Sequence, residues 1–271
     1  MTSRLLLYKH STIHYLLLGA GEKTAICFHG YGEDAGSFEF LEERAGKEFR
    51  FITIDLPFHG KTVWNEGLNF TTTDLQAIVE AILKEAGLKN HSVTLVGFSL
   101  GGRMVLSLYE SISHQIEKIV LLAPDGLKVN FWYWLSTQTL LGKRLFRFTM
   151  EHPNWFFRFL KLINALGFVN RSIFKFVNYY IDNKNIRQLL YQRWTCLRKL
   201  RPNLAVIKKQ ITNRNTQVRL LYGKHDRIIL PVRGEKFCKG LGENVKLSII
   251  ESGHQVLHDK HWKEIVSALQ Q

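Results

Sequence analysis

Cysteine is scarce and unpatterned: Cys27, Cys196 and Cys238 lie far apart, are odd in number and form no C-x-x-C pair. Such usage argues against a disulfide framework or a zinc site and points to free thiols in a reducing compartment. Long apolar runs are missing as well. The longest charge-free stretch, Val129 to Gly142, has fourteen residues, whereas a bilayer span takes roughly 20. The opening Met1-Thr-Ser-Arg-Leu-Leu-Leu-Tyr-Lys9 offers only three leucines where a signal peptide needs an apolar h-region. A soluble, cytoplasmic protein is expected, in which the sequons at Asn69 and Asn170 carry little meaning. Internal repeats and low-complexity tracts are also absent. With 45% apolar and 22% charged residues over 271 positions, the chain can bury a core of domain size without staples.

Acids are what one long segment lacks. From Leu127 to Arg214 there are 17 Lys/Arg against two acids, Glu151 and Asp182. The remainder holds 20 Lys/Arg and 21 acids, so the overall charge of +14 originates in that segment. Of the 33 aromatic residues, 17 fall within it too. A basic, aromatic stretch interrupts an electrically balanced chain.

Around it, short apolar strands are expected near Leu5–Tyr8, Ile13–Leu18, Thr24–Phe28, Phe49–Ile54, Ser92–Val96, Ile119–Leu122, Val218–Tyr222 and Val245–Ile250. Helical periods fall between them, over Phe38–Ala45, Leu100–Tyr109, Val232–Leu241 and His261–Leu269. Another covers Asp74–Ala86, with Thr73 as its cap and Gly87 as its stop. Inside the basic segment, Phe146–Ile163 and Ile173–Trp194 read as helices broken by Pro153 and Gly167. This alternation implies an α/β fold: a mostly parallel sheet flanked by helices, with a helical insertion after the sixth strand. The expected division is a core of residues 1–126 and 215–271 and an insertion of residues 127–214.

The chemistry concentrates at Val96-Gly97-Phe98-Ser99-Leu100-Gly101-Gly102, a G-x-S-x-G between a strand and a helix. A strand-to-helix turn this sharp strains the residue at its tip, and Gly97 and Gly101 leave room for it. Ser99 then presents its hydroxyl above the sheet edge. The helix N-terminus aims the Leu100 N–H and its dipole at developing negative charge.

In these residues the chain resembles the α/β-hydrolase family, over about Ile13–Leu122 and Val218–Leu269. His29-Gly30-Tyr31-Gly32 matches the family's loop after its third strand, which implies the Tyr31 N–H as second oxyanion donor. Asp55-Leu-Pro-Phe-His-Gly60 is similar to its D-x-P-G-x-G turn, with Phe58 where glycine is usual. Tyr222-Gly-Lys-His-Asp226 matches the G-x-x-D that supplies the acid, and Ser252-Gly-His254 the place of the histidine. The order Ser99, Asp226, His254 is the family order. The resemblance also makes the insertion a cap over the site, so that His29, Phe98, Phe131, Trp132, Trp134 and Trp155 are candidate substrate contacts. Asp125, which follows the sixth strand, is the rival acid. His29 and His59 have a loop-fixing reading besides. His254, His258 and His261 have a helical spacing that would suit a metal, but no acid or cysteine joins them, and no metal or cofactor is expected.

The expected reaction is hydrolysis of a carboxylic ester or thioester of a hydrophobic acid through an acyl-enzyme. Serine at the elbow argues against epoxide hydrolysis and dehalogenation, which need a carboxylate. Alternatives within the fold are a cofactor-free lyase similar to the menaquinone-pathway enzyme, on the strength of Gly97–Arg103, and a C–C bond hydrolase. A non-catalytic binding protein is the alternative of another class. The expected partner is a small hydrophobic substrate, with an anionic one compatible with the basic insertion. A peripheral membrane surface is a second partner that Trp, Phe and Arg together would suit. No recognition motif supports nucleic-acid binding, and the oligomeric state is not legible.

Overall fold

A computed structural model describes residues 1–88, 92–165 and 181–271. Gly167, the sequon at Asn170 and the first part of the expected helix Ile173–Trp194 lie outside these residues. Eight strands form one sheet: β1 (Thr2–Tyr8), β2 (Ser11–Leu18), β3 (Lys23–Phe28), β4 (Phe49–Ile54), β5 (Val93–Phe98), β6 (Ile116–Leu122), β7 (Gln217–Gly223) and β8 (Val245–Ile250). Their order is β1-β2-β4-β3-β5-β6-β7-β8. The β1–β2 and β2–β4 pairs are antiparallel. β3 through β8 are parallel, and β5 is buried along its whole length between β3 and β6. A parallel strand covered on both faces needs a continuous apolar run, and Val-Thr-Leu-Val-Gly-Phe supplies it.

The helices of the sheet unit that precede the insertion are α1 (Phe40–Ala45), α2 (Thr72–Glu85) and α3 (Leu100–Ile112). In α2, Leu75, Ile78, Val79, Ile82 and Leu83 are buried, as a helical period requires. Its cap is Thr71, not the expected Thr73. Thr71 and Asp74 form a reciprocal capping box, which leaves Thr73 inside the first turn.

Among the described residues, four helices lie along the insertion: α4 (Phe131–Gln138), α5 (Leu140–Glu151), α6 (Pro153–Ala165) and α7 (Lys184–Cys196). After them come α8 (Leu204–Arg214), α9 (Val232–Cys238) and α10 (Trp262–Gln270). The described residues divide into two compact units. One comprises Met1–Glu66, Phe70–Lys128 and Lys199–Gln271, the other Gly67–Asn69 and Val129–Arg198. The second unit is therefore shorter than the expected 127–214, because α8 folds with the sheet. Its buried Ile207 and Ile211 and the Gln210 amide, which donates to the Glu110 carbonyl of α3, decide its place. Charge misplaces the boundary, since Lys208, Lys209 and Arg214 continue the basic run without belonging to it.

Among the described residues of the second unit, some aromatics pack on one another while others face outward. The Tyr133 and Phe146 rings pack against Trp194, at 5.3 and 5.8 Å between centroids, and Tyr191 joins at Phe146. Arg187 is buried and donates to the carbonyls of Met150, Ile181 and Asp182. Phe131, Trp132 and Trp134 of α4 are exposed instead. Among the described residues no helix is long and apolar enough to cross a membrane.

Candidate active site

Ser99 stands between β5 and α3 with φ +49° and ψ −113°, outside the regions that L-residues favour. Close packing forces this turn. A Cβ on Gly97 would come within 2.5 Å of the Gly101 carbonyl oxygen, and one on Gly101 within 1.9 Å of the Phe28 oxygen. Both glycines are needed for backbone to pass backbone. The Ser99 N–H donates to the Leu122 carbonyl at 2.9 Å, which ties the tip of the turn to the end of β6.

Two loops at the same end of the sheet bring their side chains to Ser99. His254 follows β8, and its Nε2 lies 2.9 Å from the Ser99 Oγ. Its Nδ1 lies 2.7 Å from Oδ2 of Asp226, in the loop after β7. A carboxylate only accepts, so Nδ1 carries the proton and Nε2 is the acceptor for the serine hydroxyl. The other Asp226 oxygen accepts the N–H groups of Ile228 and Ile229 at 2.8 and 2.9 Å, and the residue is buried. The loops are themselves fastened together: the His225 N–H donates to the Ser252 carbonyl at 2.9 Å. Gly223 permits this approach, since a Cβ there would meet the Gly253 oxygen at 1.9 Å.

Leu100 is the first residue of α3, so its N–H has no acceptor within the helix. Tyr31 follows β3, whose Phe28 is in register with Gly97 of β5. Gly101 packs against the carbonyls of Phe28 and His29. The loop bearing Tyr31 and the elbow bearing Leu100 are thus neighbours.

His29 is a correction to the expected substrate contacts. It is fully buried, its Nδ1 donates to the Gly30 carbonyl at 2.8 Å and its Nε2 accepts the Leu56 N–H at 3.1 Å. Burial lowers its pKa below the ordinary histidine value, so it is a neutral staple for the loop. Phe98 is likewise enclosed. Its ring packs 5.4 Å from that of His254, and a Cβ on Gly30 would come within 2.9 Å of it. Phe131, Trp132 and Trp134 on α4, and Trp155 on α6, belong to the second unit. Asp125, the rival acid, is paired with Arg103 and also accepts the Gly126 N–H at 2.7 Å. His254, His258 and His261 do not share a helix face: His258 caps the Lys260 N–H and His261 bonds the Ser252 hydroxyl.

Two features support the site from behind, the first absent from the sequence reading and the second adding bonds to a turn it identified. The Ile228 and Ile229 N–H groups that hold Asp226 form an Asx-type turn, for which an aspartate opening a loop is the signal. The second is Asp55, fully buried. It bonds His14 Nδ1 at 2.7 Å and accepts the N–H groups of Ala35 and Lys61 at 2.6 and 2.7 Å. Gly60 lies so near that a Cβ would meet its carboxylate at 2.0 Å, and Phe58 in this turn has φ +63° where glycine would be unstrained.

A family model described as the alpha/beta hydrolase fold matches residues 24–261. An uncharacterized hydrolase of Bacillus subtilis strain 168, YugF, is 24% identical over 244 residues, covering 89% of this chain and 86% of its own. A provisionally named 2-succinyl-6-hydroxy-2,4-cyclohexadiene-1-carboxylate synthase of the same organism is 32% identical over 108 residues. That match covers 39% of this chain and 38% of the synthase. Among solved structures, a thermophilic esterase from Thermogutta terrifontis superposes with a TM-score of 0.67 at 16% identity, over 100% of this chain and 98% of that one.

Proposed function

The chain belongs to the alpha/beta hydrolase family, and on that premise we propose that it is a serine hydrolase cleaving a carboxylic ester or thioester of a hydrophobic acid. The observation that carries this reading is the unbroken run of hydrogen bonds from Ser99 through His254 to Asp226. A serine hydroxyl is a weak nucleophile, and His254 Nε2 is placed to take its proton during attack on a carbonyl carbon. Asp226 keeps the other ring nitrogen protonated and stabilises the imidazolium that forms. The N–H groups of Leu100 and Tyr31 would receive the tetrahedral oxyanion, each worth roughly 2.7–4 kcal/mol of barrier. His254 then returns the proton to the leaving alcohol or thiol, and water repeats the cycle on the acyl-enzyme. The hydrophobic acid rests on the aromatic-rich insertion, and the esterase of like fold is in keeping with it.

The test is turnover of p-nitrophenyl esters from acetate to palmitate by the wild type and Ser99→Ala. Saturable cleavage with a chain-length optimum is expected, lost in the variant. Equal background from both proteins on every ester would end the ester reading. The similarity to the synthase favours elimination as the second reading, and product analysis on its substrate class would distinguish the two.

A further inference from the structure

We propose that the outward faces of α4 and α5 form a docking surface for an anionic lipid bilayer. A helix on a water-facing surface ordinarily turns its apolar side inward. α5 turns one apolar side each way. Phe146 packs inward on Tyr191 and Trp194, and Thr149 is buried. Leu141, Leu145 and Phe148, spaced four and three residues apart, form a second stripe that is 78%, 50% and 49% exposed. Leu140 adds a side chain 76% exposed at the start of α5, and α4 presents Trp132 at 67%. Single exposed leucines are ordinary, whereas a contiguous patch marks an interaction surface.

Charge identifies the occupant. Residues 129–198 hold two acids, Glu151 and Asp182, and α5 itself carries Lys143, Arg144 and Arg147 against Glu151 alone, so a second copy of this face would bring like charge to like. Arg144 is exposed beside the stripe, and one of the two acids, Glu151, is bonded to Arg147. A surface that accepts both leucines and arginines must offer an apolar phase edged by negative charge. An anionic bilayer does, and tryptophan beside arginine suits the boundary between its headgroups and acyl chains.

The test is co-sedimentation of the full chain with vesicles of pure phosphatidylcholine or of equimolar phosphatidylcholine and phosphatidylglycerol. Binding to the anionic vesicles is expected, weakened at about 0.5 M salt, where the Debye length is only about 4 Å. Leu141→Glu with Leu145→Glu is expected to lower partitioning at least about tenfold, since both put charge at the apolar boundary. Arg144→Glu should weaken it without altering circular dichroism. Binding to neither vesicle, or binding unchanged in the variants, would overturn the proposal. So would self-association, read by sedimentation velocity, that the double substitution abolishes in a chain that ignores vesicles; the face would then join two copies. Sedimentation reads no turnover, so its outcome is separable from that of the ester series.

Discussion

The Asp125 N–H donates to the Ser99 carbonyl at 2.8 Å, so the loop that leaves β6 grips the tip of the nucleophile turn. The side chain of the same residue holds Arg103, one turn along α3. Gly102 permits the approach, because a Cβ there would meet Pro124 at 2.4 Å. Asp125 thus serves the elbow as a brace, and Asp226 is the acid bonded to His254.

That division of labour separates two substitutions. Asp125→Ala removes the carboxylate that pairs with Arg103 and accepts the Gly126 N–H, and is expected to cost about 2 kcal/mol of unfolding free energy. Urea denaturation measures it. The turnover of the molecules that remain folded should stay within about tenfold of wild type, a change of no more than about 1.4 kcal/mol in barrier. A loss as deep as that from removing Ser99 would return Asp125 to the catalytic chain.

Ser99 itself is a site where stability and activity oppose each other. Its φ of +49° costs of order 1–3 kcal/mol in an L-residue. Ser99→Gly relieves that strain, loses one hydrogen bond and gives the unfolded chain more freedom. A net gain of about 1 kcal/mol in stability is expected, with esterase activity abolished. A lower melting temperature for Ser99→Gly than for the wild type would show that the turn is not strained.

The elbow was legible because its constraints are local: two glycines, a serine and a flanking strand and helix lie within a few residues. Asp226 and His254 were legible only through family likeness, since 127 and 155 positions separate them from Ser99. The edge of the second unit was misread for a physical reason. Net charge runs on through α8, whereas membership follows the burial of Ile207 and Ile211, which depends on what they pack against. The Thr71 cap was missed by two residues, although Thr71 and Asp74 carry the spacing of a capping box. His29 could be read from sequence as a loop staple or a substrate contact, and only its enclosure decides.

Acid should destabilise the fold through its neutral histidines. Burial lowers the pKa of His29 and of His261 below their ordinary value near 6.5. Below about pH 6.5 the unfolded chain therefore binds protons that the folded chain refuses, and stability falls as pH falls. Each histidine contributes a slope of up to about 1.4 kcal/mol per pH unit. Urea midpoints from about pH 7.5 to about 5 should decline, and less steeply in His29→Asn. Asp74, held down at about 2 despite its burial by bonds from Lys9, Thr71 and Tyr8, adds its loss at lower pH, between about pH 4, where the unfolded carboxylate protonates, and about pH 2. An identical slope in His29→Asn would show that this histidine does not resist protonation.

The sharpest test of the catalytic assignment replaces one oxygen. Asp226 Oδ1 accepts two backbone N–H groups, so in Asp226→Asn the amide oxygen is drawn to that place. The amide nitrogen then faces His254 Nδ1, and two N–H groups cannot meet. Nδ1 must give up its proton and become the acceptor, which puts the proton on Nε2. A protonated Nε2 in a neutral ring cannot take the proton of Ser99 Oγ. The variant should keep its fold by circular dichroism and lose about 10⁴-fold in kcat on the optimal ester. Turnover within about tenfold of wild type would mean that the hydrogen-bonded run does not perform the chemistry, however well it is formed.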